Sequence, residues 1–113
     1  MSIMQDAQFT TVSPQEFNEQ IKSRGIIIVD VRQPDEYECG HIKDAINIDV
    51  KDENFIDNAV CQLPKDKVIA VYCRSGKRSA LAGEMLSEKG YQVVNLDGGI
   101  EAWISNNYPV VRK

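Results

Sequence analysis

A chain of 113 residues is the size of one domain and can bury about two thirds of the surface it exposes when unfolded. With 42% hydrophobic and 27% charged residues, its composition is that of a globular protein and excludes a disordered tail or a fibrous repeat. Thirteen basic against 17 acidic residues leave a net charge of −4, which argues against nucleic-acid binding through phosphate neutralisation but allows a local basic cluster to take a small anion.

In chain order, Met1 to Val12 lacks the basic start and apolar block of a secretory signal, so a cytoplasmic location is expected, with residues 1–8 a loosely ordered lead into a single domain spanning 1–113. Ser13-Pro14-Gln15-Glu16 has the form of a capping box with proline at the first helical position. The helix it opens carries a weak stripe of Phe17, Gln20, Ile21 and Arg24, and Gly25 is read as its left-handed stop. Ile26 to Val31 reads as a strand buried on both faces, which places a parallel sheet at the centre. Gln33 to Tyr37 suggests a short helical turn, Gly40 a break and Ala45 to Ile48 a brief second strand. Phe55, Ile56, Ala59, Val60 and Leu63 recur at helical spacing up to Pro64, and Cys61 is expected to pack near that apolar side.

Val68 to Tyr72 is a further continuous apolar strand, Cys73 to Ser79 a polar loop, and Ala80 to Lys89 a helix patterned by Leu81, Ala82, Met85 and Leu86, stopped by Gly90. Tyr91 to Leu96 gives another strand, and Gly98-Gly99 opens a last helix with Ile100, Trp103 and Ile104. Trp103 is expected in the core beneath that helix. Strands alternating with helices predict an α/β fold around a mostly parallel five-stranded sheet. The longest apolar run, Val68 to Cys73, is far short of the about 20 residues that span a bilayer, so no membrane partner is expected. Cys39, Cys61 and Cys73 are an odd number without metal-ligand spacing, and His41 is the only histidine. A disulfide framework and a zinc site are both poor readings, and no metal or cofactor is called for.

In open α/β sheets ligands bind beyond the carboxyl ends of strands, so the loop after Tyr72 is where chemistry is expected. Cys73-Arg74-Ser75-Gly76-Lys77-Arg78-Ser79 joins a thiol, three cations and a glycine immediately before a helix N-terminus. Unpartnered amides and the helix dipole favour negative charge there, and with nearby cations they lower a cysteine pKa from about 8.5 into the range of about 3.5 to 7.5. Cysteine at a strand end is commonly apolar filler. Filler has no need of Arg74, Lys77 and Arg78 beside it, so Cys73 is assigned as a nucleophile that requires no histidine base.

Three ordered segments resemble a known family. Asp30-Val31-Arg32 with Glu36-Tyr37, Gly40-His41-Ile42 and Ala45-Ile46-Asn47-Ile48 form the first. Val71 to Ser79 forms the second, and Leu96-Asp97-Gly98-Gly99 with Trp103 and Pro109-Val110 the third. Together they are similar to the signatures of single-domain rhodaneses, which are sulfurtransferases. The resemblance implies that Cys73 takes the outer sulfur of an anionic donor such as thiosulfate, becomes a persulfide, and passes that sulfur to cyanide, a thiol or a partner protein. It also implies that Arg74, Ser75, Gly76, Lys77, Arg78 and Ser79 bind the substrate, their amides cradling sulfur and anion while Arg74 and Lys77 attract the donor. Arg78 acts more as a brace, with Asp30 its candidate acidic partner. Asp30 and Arg32 support the loop from below, and His41 fixes its own segment by hydrogen bonding.

Four residues, Arg74 to Lys77, separate Cys73 from Arg78. A cysteine phosphatase needs five before its arginine, and at that place this chain has Ser79, so the smaller ring suits a sulfur atom. Cys39, just before Gly40-His41-Ile42, is either a semi-exposed thiol without function or a partner of Cys73 that resolves the persulfide or forms a regulatory disulfide. Two functions remain open: an enzyme turning over small acceptors, or a sulfur carrier or docking module that acts only in complex with a partner protein.

Overall fold

The computed structural model describes residues 8–112, so residues 1–7 of the expected N-terminal segment lie outside the described residues. Gln8, counted with that segment, instead opens strand β1 (Gln8–Val12), which pairs residue for residue with β5 (Gln92–Leu96). Nothing in the apolar pattern of Phe9-Thr10-Thr11-Val12 announces it, because an edge strand alternates only weakly. The other strands are β2 (Ile26–Asp30), β3 (Ile46–Asn47) and β4 (Val68–Tyr72). All pairings are parallel, in the order β1-β5-β4-β2-β3, with Ile28 beside Ala70 and Val71 beside Asn95.

Four helices fill the crossovers, α1 (Pro14–Gln20), α2 (Pro34–Cys39), α3 (Phe55–Gln62) and α4 (Lys77–Glu88), and a fifth, α5 (Gly99–Ser105), follows β5. Because both faces of a parallel sheet are covered, alternate residues of one strand feed two separate cores. Val29, Ile69, Val71 and Val93 pack with Phe55 and Ala59 of α3 and with Ala82 and Leu86 of α4. Ile28, Ala70, Tyr72 and Leu96 pack with Phe17 of α1 and with Ile100 and Trp103 of α5. Trp103 is buried as expected, meets Phe17 edge to face and donates its indole N–H to the Pro109 carbonyl at 2.8 Å.

Several local expectations are corrected. Ser13 caps α1 by accepting from the Glu16 amide at 3.2 Å, but the Glu16 carboxylate takes the Gln20 side chain instead of turning back. Gly25 is not a left-handed stop: α1 ends at Gln20 in tight turns, and the Gly25 carbonyl accepts from the Val68 amide at 2.8 Å, starting β4. Cys61 and Val60 are exposed, since α3 seats on the sheet through Phe55 and Ala59, and positions one and two residues beyond Ala59 point elsewhere around the helix. Leu81 and Ile104 likewise lie on solvent faces. Among the described residues no helix is long and apolar enough to cross a membrane.

Candidate active site

Strand β4 is the middle strand of the sheet, and its carboxyl end delivers Cys73 onto the face shared by Ile69 and Val71. The following helix begins at Lys77, three residues earlier than its apolar pattern suggests. Lys77, Arg78 and Ser79 therefore form the first turn of α4, and the loop proper shrinks to Cys73-Arg74-Ser75-Gly76. Gly76 makes the turn at φ 103°, a left-handed geometry natural to glycine. This brings unpartnered amides back over the strand end, where the thiol is 1% exposed.

Cys73 Sγ accepts from the Gly76 amide at 3.1 Å, the Ser79 amide at 3.3 Å and, by geometry, the Ser79 hydroxyl at 3.4 Å. Burial alone pushes the thiol pKa up, but the Ser79 hydroxyl and the amides of Ser79, Gly76 and Ser75 outweigh it and leave the thiol below its ordinary value. The loop is fixed from its other side by α5. Ile100 N–H donates to the Cys73 carbonyl at 2.8 Å and Glu101 N–H to the Arg74 carbonyl at 3.1 Å. Gly99, at φ 65°, allows this contact, since a Cβ there would collide with the Arg74 carbonyl.

The cations of the loop do different things. Arg78 is half-buried and forks onto Glu36 of α2, with Nη1 at 2.9 Å and Nη2 at 3.1 Å from the two carboxylate oxygens. This corrects the expectation that Asp30 holds Arg78. Both Asp30 oxygens are already taken by Arg32, through its amide at 2.9 Å, Nε at 3.0 and 3.1 Å and Nη2 at 2.7 Å. Arg32 also donates to the Gly40 carbonyl at 2.6 Å, so the buried pair fastens the end of α2 and supports the segment from which Glu36 reaches the loop. Arg74 is exposed and paired with Glu101 at 2.8 Å. Lys77 is exposed and has no ion pair among the described residues. Ser75 is exposed beside it.

His41 is buried, stacks on Tyr37 at 3.8 Å between ring centroids and gives its Nδ1 proton to the Tyr37 carbonyl at 2.8 Å. Its backbone makes an isolated antiparallel bridge with Val111, tying the C-terminal segment to this loop. Arg32, Glu36, Cys39, Gly40, Ile100, Ile104, Val110 and Arg112 line a cleft of about 290 Å³ that adjoins the active loop through Glu36 and Ile100. Cys39 is an exposed thiol in its wall.

Three partners of the site escape a reading of the sequence. Glu101 looks there like any other surface acid, and Glu36, though part of the first family segment, shows no sign of its partner, because ion pairs between distant segments leave no local signal. Asn95 does leave one: a carboxamide inside the apolar run Val93-Val94-Asn95-Leu96 must be bonded when buried, and it contacts Ser79.

Comparison with known proteins agrees with this architecture. The family model described as Rhodanese-like domain matches residues 13–106. A sulfurtransferase of Allochromatium vinosum is 39% identical over 87 residues, covering 76% of this chain and 78% of the relative. The thiosulfate sulfurtransferase GlpE of Ectopseudomonas mendocina is 33% identical over 98 residues, 86% of each. The crystal structure of a rhodanese-related protein from Thermoplasma volcanium superposes with a TM-score of 0.81 at 36% identity, covering 92% of this chain and 99% of that one. Longer relatives also match: the chain spans 30% of a tRNA uridine(34) hydroxylase of Onion yellows phytoplasma, at 34% identity over 93 residues. The chain belongs to the rhodanese-like domain family.

Proposed function

We propose that the protein is a sulfurtransferase that carries sulfane sulfur on Cys73, taken from thiosulfate or another persulfide donor. The Cys73 thiolate attacks the outer sulfur of thiosulfate. A Cys73–sulfur bond forms, the bond to the inner sulfur breaks with its electron pair, and sulfite leaves. The terminal persulfide sulfur, now anionic, then passes to a thiophilic acceptor and the thiolate returns. The observation that carries this reading is the ring of donors around a buried sulfur: the amides of Gly76 and Ser79 point at Sγ. They stabilise an anion without a base, and they are preorganised before substrate arrives.

Two further features favour sulfur over phosphoryl transfer. Only four residues separate Cys73 from Arg78, and the Arg78 guanidinium is engaged at both ends by Glu36, so it is not free to grip two phosphoryl oxygens. The proposal is tested by intact-protein mass spectrometry after thiosulfate treatment. The wild-type chain gains one sulfur atom and Cys73→Ser gains none. Equal behaviour of the two proteins would discard the assignment. Turnover with cyanide or a small thiol supports an enzyme, while stoichiometric loading without turnover supports a carrier that works only in complex with a partner.

A further inference from the structure

Asn95 lies on β5, in a strand covered on both faces, and is 3% exposed. Its position beside Val71 puts its side chain on the face that Cys73 shares, within reach of the first turn of α4. One end of the carboxamide, Nδ2, is 3.4 Å from Thr11 Oγ1 on β1, and the other, Oδ1, is 2.5 Å from Ser79 Oγ. A continuous row of polar groups thus runs from the edge strand to the reactive sulfur: Thr11, Asn95, Ser79, Cys73.

The Ser79 hydroxyl has one proton and three acceptors in range: Asn95 Oδ1, the Gly76 carbonyl at 3.3 Å and Cys73 Sγ at 3.4 Å. It cannot serve the amide and the sulfur together. A carboxamide resolves the conflict, because a half turn exchanges its oxygen and nitrogen at unchanged positions. In one setting Ser79 donates to Asn95 Oδ1, Asn95 Nδ2 donates to Thr11, and Ser79 Oγ is left to accept the S–H of a protonated sulfur. In the other, Thr11 donates to Asn95 Oδ1, Asn95 Nδ2 donates to Ser79 Oγ, and the Ser79 proton points at Sγ. In both settings each contact along the row pairs one donor with one acceptor.

We propose that Asn95 is a positioning residue for Cys73 that acts through Ser79, its reversible carboxamide turning the Ser79 hydroxyl toward the sulfur when the sulfur is anionic and away when it is not. The inference rests on Cys73 as the reacting group of the function proposed above. The charge on Sγ changes in such a cycle, since the persulfide moves it to the outer sulfur. The other charged groups near the loop stay as they are: Arg78 on Glu36, Arg32 on Asp30, Arg74 on Glu101, and Lys77 unpaired among the described residues.

The test is the pH dependence of Cys73 alkylation by iodoacetamide in a full-length chain with Cys39 and Cys61 replaced by Ser, so that a single thiol reports. No sulfur donor is involved, so the outcome is independent of whether thiosulfate loads the protein. Asn95→Leu keeps the shape and removes both bonds. It should raise the alkylation midpoint by about half a pH unit, a threefold loss of thiolate well below the midpoint. In a Ser79→Ala background the same replacement should do nothing, because the hydroxyl it acts through is gone. Should Asn95→Leu fail to fold, Asn95→Asp preserves the packing but only accepts, holding the Ser79 proton away from sulfur. Its upward shift should be larger with Ser79 present than in the Ser79→Ala background. A folded variant with the wild-type profile, or a shift equal in both backgrounds, would overturn the proposal.

Discussion

Lys77 and Arg74 carry the same formal charge three residues apart, yet their surroundings differ. The Arg74 charge is offset by Glu101, with both side chains more than half exposed, so the pair contributes little to stability while cancelling most of its own field. Lys77 has no such partner among the described residues. Attraction of a dianionic donor should therefore depend more on Lys77. With thiosulfate as donor, Lys77→Ala is expected to raise KM several-fold at low salt and Arg74→Ala less, with both effects shrinking as ionic strength rises. Steady-state kinetics at two salt concentrations decide it. Equal effects of the two variants, or effects indifferent to salt, would show that neither residue works by long-range attraction.

At the scale of elements, the active loop is held by helices that meet it from three sides, and the bond between α2 and α4 carries a strongly shifted carboxyl. Hydrogen bonding to Arg78 lowers the Glu36 pKa from its ordinary 4.5 to about 2. A carboxyl whose folded pKa is depressed contributes fully above its unfolded value, and that contribution is lost as pH falls through the folded one. The Glu36–Arg78 pair therefore supports the fold fully above about pH 4.5 and fades between there and about pH 2. Glu36→Gln should cost on the order of 1–3 kcal/mol at pH 7. It should also unfold with a flatter acid dependence than wild type, so that the two converge near pH 2. Urea denaturation at a series of pH values measures this, and a constant difference down to pH 2 would contradict it. The same scale shows what a sequence reveals. Continuous apolar runs at β2 and β4, and the glycines at 90 and 98, give the alternation of strands and helices, because both faces of those strands are buried. The start of α4 is hidden in the sequence because Lys77, Arg78 and Ser79 are polar for the sake of the site, not the helix. Glu36 is not distinguished there from Asp30 as the partner of Arg78 because the choice depends on Arg32 already filling Asp30.

For the whole molecule, the least legible part is the edge of the sheet, and it bears on both packing and site. The family match begins at residue 13, yet β1 lies before it, pairs with β5 along five residues and brings Thr11 to Asn95. What seats this strand is a contact no local pattern encodes: Phe9 packs against α4 at Gly83, where a Cβ would run into the phenyl ring. That glycine is otherwise unfavourable, since alanine in a helix interior is usually better by about 1 kcal/mol. Gly83→Ala should reverse the usual sign and destabilise the protein by about 1–3 kcal/mol, because relieving the clash means lifting Phe9 and with it the edge strand. Combining it with Phe9→Ala removes the obstacle, so Gly83→Ala should then be neutral or stabilising relative to Phe9→Ala alone. Urea unfolding of the four proteins gives the coupling directly. Additive effects would mean that β1 is not seated through Gly83, whereas strong coupling makes the smallest residue of α4 the point at which an edge strand, invisible in the apolar pattern, is fixed against the helix that follows Cys73.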